Sequence, residues 1–388
     1  MHVLHVISSI TRVDGGPTAA LIGLCRAQVA SGLQVSVLSG FREGETDSVS
    51  DVLLKSGVAV NLVGPTSGLF RSHSDMRRNL FDLAERVDIL HIHALWEEIQ
   101  HQAASVSREL QIPYIFRPCG MLDPWSLNQG KWKKRIYMAW RLRRDLNLAA
   151  AIHFTAEKER DLTAPLHLRA PSIVEPNGID LSEFAELPQR GRFRARFPSL
   201  GNRPIVLFLS RLHPKKGLDL LIPAFAAGAP PEAMLVLAGP CDDRYRVELD
   251  RLVRKHDLGQ RVIMPGLLRD VERLEAYVDA ELFCLPSYQE NFGIAVVEAM
   301  AAGLAVIISD KVNLDRDVIA AGAGAVVPTQ IEPLADAMNQ WLFDKSLRQR
   351  AGAAGREYAF QRFSWNAIAA RWLKHYKALL EVRRSDDY

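Results

Sequence analysis

The chain has 388 residues, 48% of them hydrophobic and 24% charged, which suits a well-cored protein of two ordinary domains and excludes a disordered polymer. A formal net charge of only +3 argues against bulk nucleic-acid binding. Four cysteines, Cys25, Cys119, Cys241 and Cys284, sit in or near apolar runs without CxxC spacing, as reduced core thiols of a cytosolic protein do.

The amino terminus runs straight into an apolar strand at residues 3–7, with no basic segment and long apolar stretch ahead of it. No apolar run approaches the roughly 20 residues of a membrane span, so a cytoplasmic location is expected. A loop containing Gly15-Gly16-Pro17 leads into an apolar helix over 18–30; Gly32 ends it, and 35–38 form the next strand. This order implies a parallel sheet covered by helices on both faces. The glycine loop lacks the GxGxxG spacing of a dinucleotide fingerprint, which weakens a dehydrogenase reading, yet paired glycines still let the backbone approach a phosphate.

Residues 58–63 read as a third strand and 72–85 as a polar-faced helix. The strand Asp88-Ile89-Leu90-His91-Ile92-His93 ends in histidine, and alternation puts His91 and His93 on one face. Metal sites share that geometry, but no third ligand follows at suitable spacing, and no metal is expected. A strand at 114–116 ends in the loop Arg117-Pro118-Cys119-Gly120-Met121, where doubly wound sheets form their ligand crevices. Further on, Lys131, Lys133, Lys134, Arg135, Arg141, Arg143 and Arg144 interleave with Trp132, Ile136, Tyr137, Trp140 and Leu142. Such a helix either lies on an anionic bilayer surface or turns a stripe of Trp132, Ile136, Ala139 and Trp140 to the core beneath a solvated basic face.

Pro176-Asn177-Gly178 is a turn by its own chemistry and marks the hinge between a first domain, 1–176, and a second, 177–364. A second βα series follows. Its first strand, 204–210, ends in the cationic loop Arg211-Leu212-His213-Pro214-Lys215-Lys216-Gly217, and Arg211 and Lys216 beside a helix start suit a pyrophosphate. Strands at 234–238 and 261–264 come next, the latter ending in the loop Gly266-Leu267-Leu268-Arg269. A last long helix, 365–388, is long enough to return to the first domain.

Residues 282–309 read as strand, polar loop, short helix and strand, and two acids punctuate them. Glu290 lies in the loop, and Glu298 falls on the second turn of a helix otherwise made of Ala295, Val296, Val297, Ala299 and Met300. An acid there needs a partner, because burying an unpaired charge costs several kcal/mol. The start of the helix offers backbone N–H groups that suit an anion.

Glu290 and Glu298, with seven residues between them and Asn291-Phe292-Gly293 after the first, resemble the Glu-x7-Glu motif of retaining glycosyltransferases of the GT-B fold, family 4 in particular. The chain is also similar to that family in its Arg211…Lys216-Gly217 and Pro176-Asn177-Gly178-Ile179-Asp180 runs. The resemblance implies an α/β fold of two Rossmann-like, doubly wound domains facing a cleft, the acceptor held by the first and a nucleotide-sugar donor by the second. It implies that Glu290, the amides of Asn291, Phe292 and Gly293, and Ile294 beside them meet the donor sugar, while Glu298 binds the ribose. Arg211 and Lys216 would clamp the diphosphate, Gly15 and Gly16 would touch a donor phosphate, and Leu268 would lie by the base. His93 would contact the sugar and stabilise charge, so the catalytic set is His93, Arg211, Lys216 and Glu290.

No cofactor is implied; UDP leaves as product. UDP-glucose or UDP-N-acetylglucosamine leads as donor, with GDP-mannose open, and the acceptor would be a glycan or lipid-linked glycan of surface or exopolysaccharide synthesis. A lipid-linked acceptor would draw the basic 131–144 helix to the inner face of the membrane. Asp315-Arg316-Asp317 spells the DxD of metal-dependent transferases of another fold, but without their apolar flank it reads as chance. A nucleotide-sugar 2-epimerase shares the architecture and is the rival enzyme; a non-catalytic sugar-nucleotide binding protein is the rival of another class.

Overall fold

Runs that are apolar at every position, rather than every second one, make strands buried on both faces. The computed structural model, which describes residues 1–11, 16–45 and 48–386, contains thirteen parallel strands among the described residues, the central ones buried along nearly their whole length and the edge ones only in part. Gly15 lies outside the described residues.

The chain divides into two units. The first comprises Met1–Gly178 and Trp365–Tyr388. Its strands are β1 (His2–Ile7), β2 (Gln34–Gly40), β3 (Ala59–Val63), β4 (Ile89–His93), β5 (Tyr114–Arg117), β6 (Ala151–Phe154) and β7 (Ser172–Val174). They form one parallel sheet in the order β3-β2-β1-β4-β5-β6-β7. Alternation splits its side chains between two cores. Leu4, Val6, Leu90, Ile92 and Phe116 face one, and Val3, Ile7, Val35, Val37 and Ile115 face the other. The second core is closed by the Gly16–Ala30 helix and by the terminal Trp365–Asp386 helix, whose Ile368, Trp372 and Tyr376 are fully buried.

The second unit is Ile179–Ser364. Its strands are β8 (Ile205–Leu209), β9 (Met234–Ala238), β10 (Val262–Gly266), β11 (Leu282–Leu285), β12 (Val306–Ser309) and β13 (Gly324–Val327), in the order β10-β9-β8-β11-β12-β13. In each sheet the chain winds outward one way and then the other. The direction reverses between β1 and β4 in the first unit, and between β8 and β11 in the second. Loops leaving the carboxyl ends of such strand pairs diverge and leave a crevice, where ligands of this fold class bind.

Three expectations need correction. The helix after β3 is Met76–Ala84; ahead of it Ser72 bridges to Ser67 and residues 74–75 form a turn rather than helix. The basic segment is not one regular helix: Lys131–Tyr137 passes through a π-turn, Met138–Leu142, into Arg143–Asn147. Of the four cysteines only Cys25 and Cys284 are buried, with Cys119 and Cys241 partly accessible; all four are free thiols.

Candidate functional site

In the second unit the structure brings the two predicted motifs together at the sheet's switch point. The loop after β8 is tied to the loop after β9 by a bond from Leu212 N–H to the Pro240 carbonyl, 2.8 Å. It then passes close over the end of β11, where a Cβ on Gly217 would lie 2.1 Å from the Pro286 carbonyl oxygen, and Gly217 also has φ +72°. Glycine alone fits both demands. Beyond β11 the Glu290 backbone is pinned to the loop after β12, donating to Lys311 O at 3.0 Å and accepting from Asn313 N at 3.0 Å.

These constraints set the Lys216 ammonium on the Glu290 carboxylate in an ion pair, with the side chains 13% and 19% exposed. Arg211, one strand-end away, is exposed and forms no hydrogen bond or ion pair among the described residues. The loop is electropositive. Burial, and then the cations Arg211, Lys215 and Lys216, hold the His213 imidazole below its usual pKa. The site therefore offers one free guanidinium and one ammonium already shared with a carboxylate.

The short helix that follows is Ile294–Ala301, entered through Gly293 at φ +78° with no side-chain cap on its first amides. Phe292 and Gly293 are buried, Asn291 is half-buried, and Ile294 is exposed. Glu298 has the partners its setting demands: Arg273 pairs with it, and the Tyr277 hydroxyl donates to it at 2.9 Å. Burial raises the Glu298 carboxyl above the usual carboxylate range, opposed by the Arg273 guanidinium and the Tyr277 hydroxyl. Arg273 also pairs with Glu183. Both partners come from the Asp270–Asp279 helix, and nothing local in the sequence singles them out, although the apolar setting of Glu298 required some base. Leu268, in the loop after β10, is buried. Asp315 and Asp317 fall in the first turn of the Asp315–Ala321 helix, and Asp317 accepts from the Tyr358 hydroxyl at 2.8 Å and lies 3.6 Å from Arg362. Asp317 is thereby tied to side chains of the Lys345–Arg362 helix.

In the first unit His93 ends β4 beside the switch point, fully buried. Three further buried histidines join it: His91 from the same strand face, His5 from β1 and His153 from β6. Nitrogens of His5, His91 and His93 lie within 4.8 Å of one another, so the third ligand missing from local spacing arrives from another strand. Each of those rings already hydrogen-bonds a neighbouring side chain. Burial holds all four imidazoles below their usual pKa, His5 down to about 4, so they are neutral. Gly16 is the first residue of its helix and exposed. A cavity of about 470 Å³ in this unit is lined by Phe70, His73, Met76, Arg77, Glu98 and Gln102 among others, and includes none of the predicted site residues.

The core-facing reading of the basic segment does not hold. Trp132, Ile136 and Trp140 are 73%, 67% and 65% exposed, and Ala139 is exposed with them, so the stripe does not face the core. Tyr137, Met138 and Leu142 do. Arg135 and Arg141 lie over the rings of Trp132 and Trp140 at 5.6 and 4.0 Å. No helix among the described residues is long and apolar enough to cross a membrane.

Residues 189–358 match the family of glycosyl transferases group 1, and residues 15–178 match a glycosyl transferase 4-like domain. Among curated proteins, the chain is 30% identical over 234 residues to a D-inositol 3-phosphate glycosyltransferase of Kineococcus radiotolerans, covering 56% of this chain and 54% of that one. It is 28% identical over 257 residues to a GDP-mannose-dependent alpha-(1-6)-phosphatidylinositol monomannoside mannosyltransferase of Mycolicibacterium smegmatis, covering 63% and 66%. The chain thus spans little more than half the length of the first and under two thirds of the second. Two similar solved structures are the Anabaena protein HepE in complex with UDP and glucose, and a sucrose-phosphate synthase from Thermosynechococcus elongatus. HepE has a TM-score of 0.78 at 20% identity, covering 97% of this chain and all of that one. The synthase has a TM-score of 0.73 at 23% identity, covering 98% and 100%. At such identities the likeness concerns the fold.

Proposed function

The chain belongs to the glycosyltransferases of the GT-B fold, a 4-like domain followed by a group 1 domain, and from that premise we propose that it is a retaining, metal-independent hexosyltransferase of family 4. The donor is a nucleotide sugar held by the Ile179–Ser364 unit, and the acceptor is a glycan or lipid-linked glycan held by the first unit. The observation that carries this reading is the Lys216–Glu290 ion pair beside the unpaired Arg211, built by two loops at the switch point between β8 and β11.

In glycosyl transfer the difficult event is the departure of the diphosphate, whose charge grows as the C1–O bond breaks. Fixed cations aimed at that charge lower the barrier directly. Arg211 meets the diphosphate as a free fork of donors. Lys216 turns from Glu290 toward it, and the released carboxylate accepts sugar hydroxyls together with the amides of Asn291, Phe292, Gly293 and Ile294. An ionised carboxylate has roughly four lone-pair sites, so Glu298 keeps Arg273 and Tyr277 and still accepts ribose hydroxyls. Backbone groups around Leu268 face the base. Retention follows from attack on the face the phosphate leaves, with the leaving oxygen taking the acceptor's proton. Two cations supply the stabilisation a metal would, so none is required, and UDP leaves as product.

UDP-glucose or UDP-N-acetylglucosamine is the leading donor, in keeping with the HepE complexes with UDP and UDP-glucose. GDP-mannose is the second reading, favoured by the names of the mannosyltransferase relatives. The exposed Trp132, Ile136 and Trp140 among Lys131, Lys133, Arg135, Arg143 and Arg144 fit the headgroup layer of an anionic bilayer, which would bring the enzyme to a lipid-linked acceptor of surface polysaccharide synthesis.

The test is a thermal-shift screen against UDP-, GDP-, ADP- and dTDP-sugars, repeated in EDTA. A ligand that binds only the native state raises the melting point. A rise with UDP-hexoses, and turnover to free UDP that survives EDTA, are the expected results. No rise with any nucleotide sugar overturns the proposal, and loss of turnover in EDTA overturns its metal-independent part.

A further inference from the structure

The buried polar groups on the inner face of the first sheet form one continuous chain of hydrogen bonds. His153 Nε2 lies 2.8 Å from the Glu175 carbonyl, and His91 Nε2 lies 3.1 Å from His153 Nδ1. The Tyr376 hydroxyl lies 2.9 Å from His91 Nδ1, and Gln28 Nε2 donates to that hydroxyl at 3.0 Å. His5 Nε2 lies 2.8 Å from Gln28 Oε1, and His93 Nε2 lies 2.9 Å from His5 Nδ1.

The far end sets the direction of every link. A carbonyl only accepts, so His153 carries its proton on Nε2 and accepts at Nδ1. A neutral ring holds one N–H, and burial keeps these rings neutral, with the Arg117 guanidinium nearby adding to the resistance against a second proton. His91 therefore donates from Nε2 and accepts at Nδ1 from Tyr376. The phenol has one proton and has spent it, so it must accept from Gln28. That forces the Gln28 amide nitrogen toward Tyr376 and its oxygen toward His5, because the flipped amide would set two acceptors face to face. His5 then donates from Nε2 and accepts at Nδ1 from His93. The last atom, His93 Nδ1, is left as a bare lone pair, buried and without a hydrogen-bond partner among the described residues.

We infer that Gln28, Tyr376, His5, His91 and His153 are positioning residues that lock His93 in its Nε2–H tautomer, so that Nδ1 at the end of β4 serves only as a hydrogen-bond acceptor, for the O–H of a substrate hydroxyl that keeps its proton. The ordered chain reads out a choice made at the Glu175 carbonyl, six hydrogen bonds away. His93 consequently neither donates to a phosphate nor carries charge; it selects for a hydroxyl-bearing ligand. That the ligand is a sugar rests on the proposed transferase activity, while the tautomer does not.

The test is nitrogen NMR of the full chain with 15N-labelled histidine, His93 being assigned by the resonances lost in His93→Gln. In the unaltered protein His93 should show an unprotonated Nδ1 and a protonated Nε2. A protonated Nδ1, or a stoichiometric metal found on the purified protein, overturns the inference. In Gln28→Met the His5 N–H loses its acceptor and the His5–His93 link reverses, moving the His93 proton to Nδ1; Gln28→Glu gives up the donor to Tyr376 but keeps the acceptor for His5 Nε2–H, and with it the original His93 tautomer. Donor turnover in Gln28→Met should fall about tenfold, the worth of one hydrogen bond, with nucleotide affinity unchanged, and should recover in Gln28→Glu. A switched tautomer with unchanged turnover overturns the positioning role. Absence of any nucleotide-sugar turnover in the unaltered protein strikes the transferase reading and leaves the NMR result standing.

Discussion

The Lys216–Glu290 pair shows how one residue's role depends on a neighbour far away in sequence. The ammonium is neutralised by a carboxylate from another loop, so of the two cations in the proposed diphosphate clamp only Arg211 has no ion pair among the described residues. Replacing either cation by alanine should lower turnover about a hundredfold, by analogy with removal of one preorganised donor. Steady-state release of UDP from a UDP-hexose checks this, and turnover within a factor of two of the parent would remove that residue from the clamp. Gly217 belongs to the same site for a backbone reason. An alanine there needs both a left-handed φ and room already taken by the Pro286 carbonyl. Gly217→Ala should destabilise the second unit by roughly 1–3 kcal/mol, read from its denaturant midpoint, and should weaken nucleotide binding as the two loops part.

Among the elements, the 131–147 segment shows most clearly that burial, not composition, decides which side chains are free to meet a partner. Its basic and aromatic residues are legible as a list, and both a buried stripe and a bilayer-facing one satisfy that list. The structure turns Tyr137, Met138 and Leu142 inward and leaves Trp132, Ile136 and Trp140 in solvent. Changing Trp132 and Trp140 together to alanine should therefore leave the melting temperature nearly unchanged, since surface substitutions of this kind stay within about 0.5 kcal/mol. The same double variant should lose most of its binding to vesicles rich in anionic lipid, measured by co-sedimentation, with the residue of binding abolished by salt. A large drop in stability would mean that these rings pack against protein after all, and unaltered sedimentation would end the membrane proposal.

At the scale of the whole molecule, stability is tied to pH through the first unit. His5, His91, His93 and His153 are neutral in the folded chain because burial lowers their pKa values, His5 to about 4. In the unfolded chain each takes a proton near pH 6.5. Below that pH the unfolded state binds more protons, so the stability present above it is lost as the pH falls. Each neutral histidine adds a slope of about 1.4 kcal/mol per pH unit, continuing for His5 down to its folded value near 4. Denaturation midpoints taken at intervals from about pH 7.5 to 5 should fall steeply below 6.5, and a flat profile would contradict neutral, buried rings. Because Arg371 and His375 of the terminal helix hold Glu175, whose carbonyl anchors the histidine chain, the last helix and the first sheet should lose structure together.

Local order was legible from the chain alone. Continuous apolar runs alternating with helical ones dictated two parallel, doubly wound sheets, and the spacing of Glu290 and Glu298 after a strand, with Arg211 and Lys216 after another, singled out the residues on which the proposed chemistry of the second unit rests. These signals survive in one dimension because they are set by neighbours within a turn or a strand end. Only the tertiary structure decided who meets whom: that Lys216 rests on Glu290, that Arg273 and Tyr277 hold Glu298, and that Trp132 and Trp140 face solvent. It also decided that His5, His91, His93 and His153 share one face with Gln28 and Tyr376, across separations as long as 348 residues. Parallel sheets place side by side strands that are distant in the chain, so a side chain's charge, tautomer and partner are set by register and burial, and neither is written in the spacing of any single segment.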